Sequence, residues 1–218
     1  MSREHILHRV RTAIGRSAGQ PPSVAPPVRI RVPDDDPAAR VSTMLARVEA
    51  LAGKTYHAAT PDDACAFVAA AIAGRTALAS NAPFLAECGI ARLPGVRTGI
   101  VDRQQLRDCC ATVDIGITSA DYALADTGTL VMLSSPREAR LISLLPPAHI
   151  AIVPQERILS GLDELFTLLP NPAEQTSSMV LITGPSRTAD IEQILVRGVH
   201  GPGEITVLVV ARASGPSI

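Results

Sequence analysis

The stretch TLVMLSSPREARLISLLPPAHIAIV, residues 129–153, decides the fold that the sequence predicts. It holds two continuous apolar runs, residues 129–133 and 150–153, on either side of a predicted helix over residues 135–145. The letters SPRE at the start of that helix combine a capping box with a proline at the first helical position. Continuous apolar runs, as opposed to alternating ones, are typical of strands buried on both faces in parallel sheets. The stretch therefore predicts a strand–helix–strand unit of an α/β protein.

The same alternation of strand and helix signals extends from this unit in both directions, from about Asp36 to the end of the chain. The further predicted strands are residues 55–58, 76–80, 113–117, 179–183 and 205–210. The further predicted helices are residues 38–51, 61–73, 81–89, 102–110, 160–169 and 188–197. The predicted fold class is α/β, with a mostly parallel sheet sandwiched by helices.

The chain divides at about residue 36 into a leader and a body. Residues 2–15 predict a short helix, and residues 17–37 contain six prolines, which is typical of an extended linker. An isolated helix of this length is marginal in water, so we expect it to pack on the body or on another chain. The predicted organisation is an N-terminal helical arm and linker over residues 1–36 and an α/β domain over residues 37–218.

Composition and charge exclude several classes of protein. The chain has 218 residues, of which 46% are hydrophobic and 2% aromatic, and its net charge is −1. It is therefore large and apolar enough to form a core, and it lacks the basic surface and the aromatic residues typical of nucleic-acid binding. We see no signal peptide and no apolar stretch long enough to span a bilayer, so we expect a soluble, cytoplasmic protein.

Cysteine and histidine spacing gives no signature of a metal or cofactor site. The four cysteines, Cys65, Cys88, Cys109 and Cys110, form no C-x-x-C pair and no ferredoxin-like spacing. No dinucleotide-binding fingerprint and no nucleophile elbow is present. We therefore expect no metal site and no cofactor in this chain.

The first candidate loop reads GITSADYALADTGT, residues 116–129. Thr118 and Asp121 fit a capping box, so both are candidates either for helix capping or for ligand binding. Asp126 stands just before a buried strand, in a predicted turn with Thr127 and Gly128, which are two further candidate ligand-binding residues. A carboxylate there would serve as a general base, a nucleophile or a cation-binding group; alternatively, it is a turn former beside a Gly128 with positive φ. Both interpretations remain open.

The second candidate loop reads TGPSRTADIE, residues 183–192, and leads into the helix predicted from Thr188. The free N–H groups and the dipole of a helix N-terminus favour anions, and the Arg187 guanidinium is suited to a carboxylate or a phosphate. Alternatively, the hydroxyls only cap the helix and Arg187 pairs with a nearby acid. His200, between glycines after this helix, is either an acid–base group at the same mouth or a structural residue. The candidate ligand-binding residues of this loop are Gly184, Ser186, Arg187, Thr188 and Asp190.

Residues 116–130 and 183–192, followed by GVHGP at residues 198–202, resemble the two signatures of the lactate-utilisation protein C (LutC/YkgG) family, in the same order and spacing. The resemblance implies a LUD domain, with a fold related to sugar-phosphate isomerases and CoA transferases, and a role in oxidising L-lactate to pyruvate. It also implies two partners, an iron–sulfur protein and a cysteine-rich protein. Asp126 stands where the family pattern has Glu, so the carboxylate is retained on a side chain that is one methylene shorter.

Three functional hypotheses follow from the two loops and the resemblance. The first is a non-redox subunit of a lactate-oxidising assembly that binds a partner and a small carboxylate or phosphate. The second is a stand-alone isomerase or acyl-CoA transferase that uses Asp126 as base or nucleophile. The third is a regulatory protein that senses a small carboxylate without chemistry.

Overall fold

The computed structural model describes residues 2–17, 19–20, 36–191 and 194–211. It divides into two compact units, residues 1–30 and residues 31–218. The first unit contains helix α1 (Arg3–Ala13), whose N-cap Ser2 accepts a hydrogen bond from the backbone N–H of His5 at 3.3 Å. The predicted N-terminal helix is confirmed, while most of the predicted linker lies outside the described residues.

The second unit alternates helices and strands along most of its length. Its helices are α2 (Pro37–Ala50), α3 (Pro61–Ala71), α4 (Pro83–Glu87), α5 (Arg103–Cys110), α6 (Arg140–Leu144) and α7 (Leu162–Leu168). Its strands are β1 (Lys54–Ala58), β2 (Ala77–Ala79), β3 (Val96–Arg97), β4 (Ile115–Ser119), β5 (Tyr122–Leu124), β6 (Thr129–Leu133), β7 (Ala148–Pro154), β8 (Ile158–Leu159), β9 (Met179–Thr183), β10 (Arg187–Ile191), β11 (Ile194–Arg197) and β12 (Glu204–Val210). None of the described helices is long and apolar enough to span a membrane.

Six strands form the main sheet, in the order β1-β12-β7-β4-β2-β3, and every neighbouring pair runs parallel. Strand β7 lies near its centre, and all seven residues of this strand are buried. The predicted fold class, α/β with a mostly parallel sheet, is confirmed.

A second, four-stranded sheet has the order β8-β5-β6-β9. Strand β6 pairs antiparallel with both β5 and β9, and β5 pairs parallel with β8. The strand predicted over residues 129–133 therefore exists, but it does not belong to the parallel sheet. A continuous apolar run shows that a strand is buried, and it does not show in which sheet or direction the strand pairs.

The two faces of the main sheet are covered differently, because successive side chains of a strand point to opposite faces. On one face, Ile150 and Ile152 of β7 pack in a cluster with residues of α3 and α4. On the other face, Ala151 and Val153 pack with residues of α2 and of the second sheet, including Leu130 of β6. Helices therefore cover one face, whereas helices and the second sheet together cover the other.

The helix predicted over residues 135–145 is shorter than expected, because α6 begins only at Arg140. The Ser135 hydroxyl oxygen does accept the backbone N–H of Glu138 at 3.0 Å, as in a capping box. The Glu138 side chain, however, does not return to Ser135. Its Oε2 accepts the hydroxyl of Ser80 at 2.7 Å in the protein interior, so the segment is a turn and not the first turn of a helix.

The helix predicted over residues 188–197 is wrong. This segment forms an antiparallel hairpin of β10 and β11, in which Arg187 faces Arg197 in the register. The spacing of Ile191, Ile194 and Leu195 fits a helix, but threonine, isoleucine and valine are also strand-forming residues. The helix N-terminus on which the predicted anion site partly depended is therefore absent from the described part of this loop.

Gly116 allows α6 to pack directly on β4. A Cβ atom placed on Gly116 would lie 2.0 Å from the carbonyl oxygen of Ile142, which belongs to α6. Real Cβ atoms do not approach backbone oxygens so closely, so any other residue would push α6 away from the sheet. Glycine at this position is a packing requirement.

We expect Gly116→Ala to lower the free energy of unfolding by about 2 kcal/mol or more, because the added methyl group overlaps the backbone of α6. Urea unfolding followed by circular dichroism measures the change. The matched control is Gly203→Ala, whose added Cβ would be 3.6 Å from its nearest neighbour, an ordinary contact. Equal stabilities of the two variants would contradict the close packing of α6 on β4.

Candidate functional site

A pocket of about 340 Å³ lies beside the amino-terminal ends of β7 and β12 and the carboxyl-terminal end of β9. We call it the basic pocket. Its polar and charged lining is formed by Arg140, Ser143, His149, Thr183, Ser186, Arg187 and His200. It therefore contains members of both the second candidate loop and the GVHGP segment.

The described residues that line the basic pocket carry positive charge and no negative charge. It includes two arginines and two histidines, and none of its described lining residues is acidic. Arg140, the first residue of α6, is exposed, and its guanidinium has no hydrogen-bond or ion-pair partner among the described residues. Arg187 donates a hydrogen bond from Nη2 to the carbonyl oxygen of Leu51, which holds its side chain in place. A concave surface with this charge attracts anions.

His149 is the most deeply buried polar group of the pocket, with 1% of its surface exposed. Its Nε2 lies 2.7 Å from Oγ1 of Thr118, while its Nδ1 has no partner among the described residues. Burial lowers the pKa of His149 to about 4, so the imidazole is neutral at neutral pH. A buried polar atom without a partner is unusual in proteins, and a ligand oxygen in the pocket would supply the missing hydrogen bond.

Backbone hydrogen bonds hold the two loops of the pocket together. The N–H of Ser186 donates to the carbonyl oxygen of Pro202 at 2.9 Å, and the N–H of Gly198 donates to that of Ser186 at 3.1 Å. Gly184 has a φ of 77°, which allows the chain to turn after β9. The structure thus brings Gly184, Ser186, Arg187 and His200 together, as the hypothesis of a shared mouth required. Thr188 and Asp190 follow in β10, and their side chains lie outside the described part of the structure.

The first candidate loop meets the second where Thr129 pairs with Thr183, and the two hydroxyl oxygens lie 2.8 Å apart. Thr118 reaches the basic pocket through its contact with His149. No helix follows Thr118, because β4 passes through a short turn into β5, so the predicted capping box is wrong. Asp121 is half-buried, and its Oδ2 accepts the backbone N–H of Leu133 at 2.6 Å.

Asp126 lies in the turn of the β5–β6 hairpin, outside the lining of the basic pocket. Its side chain is exposed, its Oδ1 accepts the hydroxyl of Thr127 at 3.1 Å, and its backbone N–H donates to Ser160 at 3.1 Å. Gly128 has a φ of 68°, as expected for the turn-forming alternative. The geometry of this loop is that of a tight turn; the catalytic role remains a prediction.

Sequence reasoning missed His149, Arg140 and Ser143. His149 carries no motif that singles it out in the sequence, and the other two lie inside the helix predicted over residues 135–145. The signal that was available is the single imidazole in the otherwise apolar run AHIAIVP of β7. A lone polar residue in a strand buried over its whole length needs a partner, and the partner identifies the site.

The buried neutral state of His149 makes stability depend on pH. Its pKa is lowered from 6.5 to about 4 in the folded protein, so only the unfolded chain binds this proton between those values. We therefore expect the free energy of unfolding to fall as pH decreases from 6.5 to about 4, by up to about 3 kcal/mol from this group. His149→Gln removes that contribution, whereas substituting the exposed His57 in the same way retains it. Unfolding titrations at several pH values measure the difference, and identical pH profiles for the two variants would contradict a buried, neutral His149.

Comparison with known proteins places these features in a family. Residues 41–210 of the chain match the LUD domain. A protein named lactate utilization protein C from an Exiguobacterium species is 40% identical over 108 residues, which is 48% of this chain and 47% of that protein. A protein of the same name from Geobacillus kaustophilus is 33% identical over 156 residues, 65% of each chain. Over the matched stretches, the chain spans about half the length of the first of these relatives.

A solved structure shows the same fold. The crystal structure of a DUF162 family protein from Deinococcus radiodurans superposes with a TM-score of 0.63 and covers 81% of this chain and 99% of that one, at 17% sequence identity. The family match extends over most of the main sheet, the second sheet and both candidate loops. The chain therefore belongs to the LUD domain family, as its two sequence motifs predicted.

Proposed function

We propose that this chain is a non-redox component of a lactate-utilising system and that its basic pocket binds a small carboxylate, such as lactate or pyruvate. The observation that carries the proposal is the charge of the pocket, two arginines with no acid among the described lining residues. The name of the relatives, lactate utilization protein C, supports the choice of carboxylate.

The lining offers complementary groups for each part of a small hydroxy acid. The planar Arg140 guanidinium is suited to a carboxylate, because it donates two parallel hydrogen bonds. The neutral His149 offers one donor or acceptor at Nδ1, which suits a hydroxyl or keto oxygen next to the carboxylate. Apolar side chains also line the pocket, among them Val180, Ile182 and Ile205, and they suit a short alkyl group.

We also propose partner proteins for this chain, on the basis of its likeness to the lactate utilization protein C relatives. Oxidation of lactate releases two electrons, and we assign their transfer to an iron–sulfur protein and a cysteine-rich protein that act beside this chain. The cysteines of this chain have structural surroundings. Cys109 and Cys110 pack with Leu78 and Val113 in an apolar cluster, and burial raises the pKa of Cys110 to about 11, which favours its thiol form.

The geometry does not favour the alternative of an isomerase or transferase that uses Asp126. This carboxylate lies outside the basic pocket, with its oxygens directed toward Thr127 and Gly161. A carboxylate sensor would use the same pocket as the subunit that we propose, so binding and function need separate measurements.

We expect Arg140→Gln to weaken the binding of L-lactate or pyruvate at least about tenfold, since it removes a charge-assisted pair of hydrogen bonds. Isothermal titration calorimetry with each acid measures the dissociation constant. The control is Arg107→Gln, an exposed arginine of α5 outside the lining of the basic pocket. Equal affinities of the two variants would contradict carboxylate binding in the basic pocket.

The role in lactate utilisation is measured separately, as lactate-dependent dye reduction in extracts of cells that lack this chain. We expect the reduction to be lost, to be restored by the purified protein and its Arg107→Gln variant, and not to be restored by Arg140→Gln. Reduction that does not depend on the chain would contradict the lactate role. If all three proteins restored the reduction, the basic pocket would not be needed for lactate utilisation, which would contradict the proposal.

A further inference from the structure

A second pocket, of about 350 Å³, lies at the opposite edge of the main sheet. We call it the Glu138 pocket. Residues at the carboxyl-terminal ends of β4 and β7, or just beyond them, line it, among them Ser119 and Pro154. The segment with Ser135 and Glu138 covers one side of it. In sheets of parallel strands this edge is a common place for ligands.

Glu138 is buried in the wall of this pocket with only half of its carboxyl group satisfied. The residue is 7% exposed, and its Oε2 accepts the hydroxyl of Ser80 at 2.7 Å and the backbone N–H of Ser119 at 3.3 Å. Its Oε1 is buried and has no partner among the described residues. Burial, with a smaller contribution from the charge of Asp121, raises the pKa of Glu138 to about 8, so the carboxyl is mostly protonated at neutral pH. Because Oε2 accepts two hydrogen bonds, the proton of the neutral carboxyl lies on Oε1. Oε1 can therefore donate a hydrogen bond to a ligand.

The charges around Glu138 balance. Asp121 lines the pocket from the β4–β5 turn, and Glu87 lines it from α4. Arg137 precedes Glu138 in its own segment, and Arg157 lies over the ring of Tyr122, with its guanidinium carbon 5.2 Å from the ring centroid. Two acids therefore offset two arginines, and Glu138 itself is neutral. This pocket, unlike the basic pocket, does not favour an anion over an uncharged molecule.

We propose that the Glu138 pocket is a second binding site, for a small uncharged molecule that presents a carbonyl or hydroxyl oxygen to Oε1 of Glu138. The donor is buried, so a hydrogen bond made there is worth more than one made in water, and leaving it unmade has a cost. The hydrogen bonds from Ser80 and Ser119 fix the orientation of the carboxyl before a ligand arrives. The site is independent of carboxylate binding in the basic pocket, because the two pockets have no lining residue in common.

The probe that distinguishes the two pockets is L-lactamide, the uncharged amide that corresponds to L-lactate. Its carbonyl oxygen is a good acceptor for the Glu138 hydrogen, and it has no charge for the basic pocket to recognise. Binding is measured by NMR titration of protein whose glutamate side-chain carboxyl carbons are labelled with ¹³C. The resonance of Glu138 is assigned by its loss in Glu138→Gln, and Glu174→Gln, an exposed residue, is the matched control.

We expect L-lactamide to shift the Glu138 resonance and to raise the pH at which this carboxyl titrates, since the ligand binds the protonated form. The affinity for L-lactamide should fall by up to about tenfold for each pH unit above the pKa of Glu138, both in the unchanged protein and in Glu174→Gln. Glu138→Gln keeps a donor at this position but cannot ionise, so its affinity should stay nearly constant over the same range. Arg140→Gln should bind L-lactamide like the unchanged protein.

Two results would overturn the proposal. One is a Glu138 resonance and titration that do not respond to L-lactamide, which would leave this carboxyl as an internal support for Ser80 and Ser119 only. The other is an equal pH dependence of L-lactamide binding in the protein and in Glu138→Gln. Loss of L-lactamide binding in Arg140→Gln would also contradict it, because the probe would then occupy the basic pocket.

Discussion

Strand β7 pairs with a parallel neighbour on each side, and its position near the centre of the main sheet fixes the places of both pockets. All seven of its residues are buried, so its side chains are divided strictly between the two faces of the sheet. His149, at the amino-terminal end of β7, therefore lies on the same face as Ala151 and Val153, beneath α6 and the second sheet. Pro154, at the other end, borders the Glu138 pocket. The backbone hydrogen bonds of one strand thus hold the two candidate sites at a constant separation.

The positions of most strands followed from the sequence, since apolar runs bounded by turn residues are local signals. The partners of those strands did not follow, because pairing depends on residues that are distant in the chain. The run of β6 is as apolar as that of β7, yet it pairs with β5 and β9 in a different sheet. The segment after Ser186 shows a second limit, because its isoleucines have the spacing of a helix while the chain forms a hairpin. Such a short segment carries too few residues to distinguish the two periods.

The candidate site was predicted in part for a related reason. Gly184, Ser186, Arg187 and His200 come together in the basic pocket because two loops adjacent to strand ends do meet in space. The sequence predicted an anion site at a helix N-terminus. In the structure, the positive charge at this place comes from arginine side chains instead, and one of them, Arg140, belongs to a distant segment of the chain. Glu138 was interpreted as a capping residue from its spacing to Ser135, and only the fold brings Ser80 within hydrogen-bond distance of it. The local pattern thus identified Glu138 as a hydrogen-bonding residue, but it assigned the wrong partner to its side chain.

Strand β4 connects the chemistry of the two pockets within two consecutive residues. The hydroxyl of Thr118 contacts His149 in the basic pocket, and the backbone N–H of the next residue, Ser119, donates to Glu138 at the other edge. Burial keeps both contacted groups uncharged at neutral pH, by lowering the pKa of the imidazole and raising that of the carboxyl. Each of them is held on one side by β4 or by a residue beside it and has one polar atom without a partner on the other side. In the two sites that we propose, ligands would be recognised by hydrogen bonding at these atoms, and the nearby arginines would supply the selection by charge.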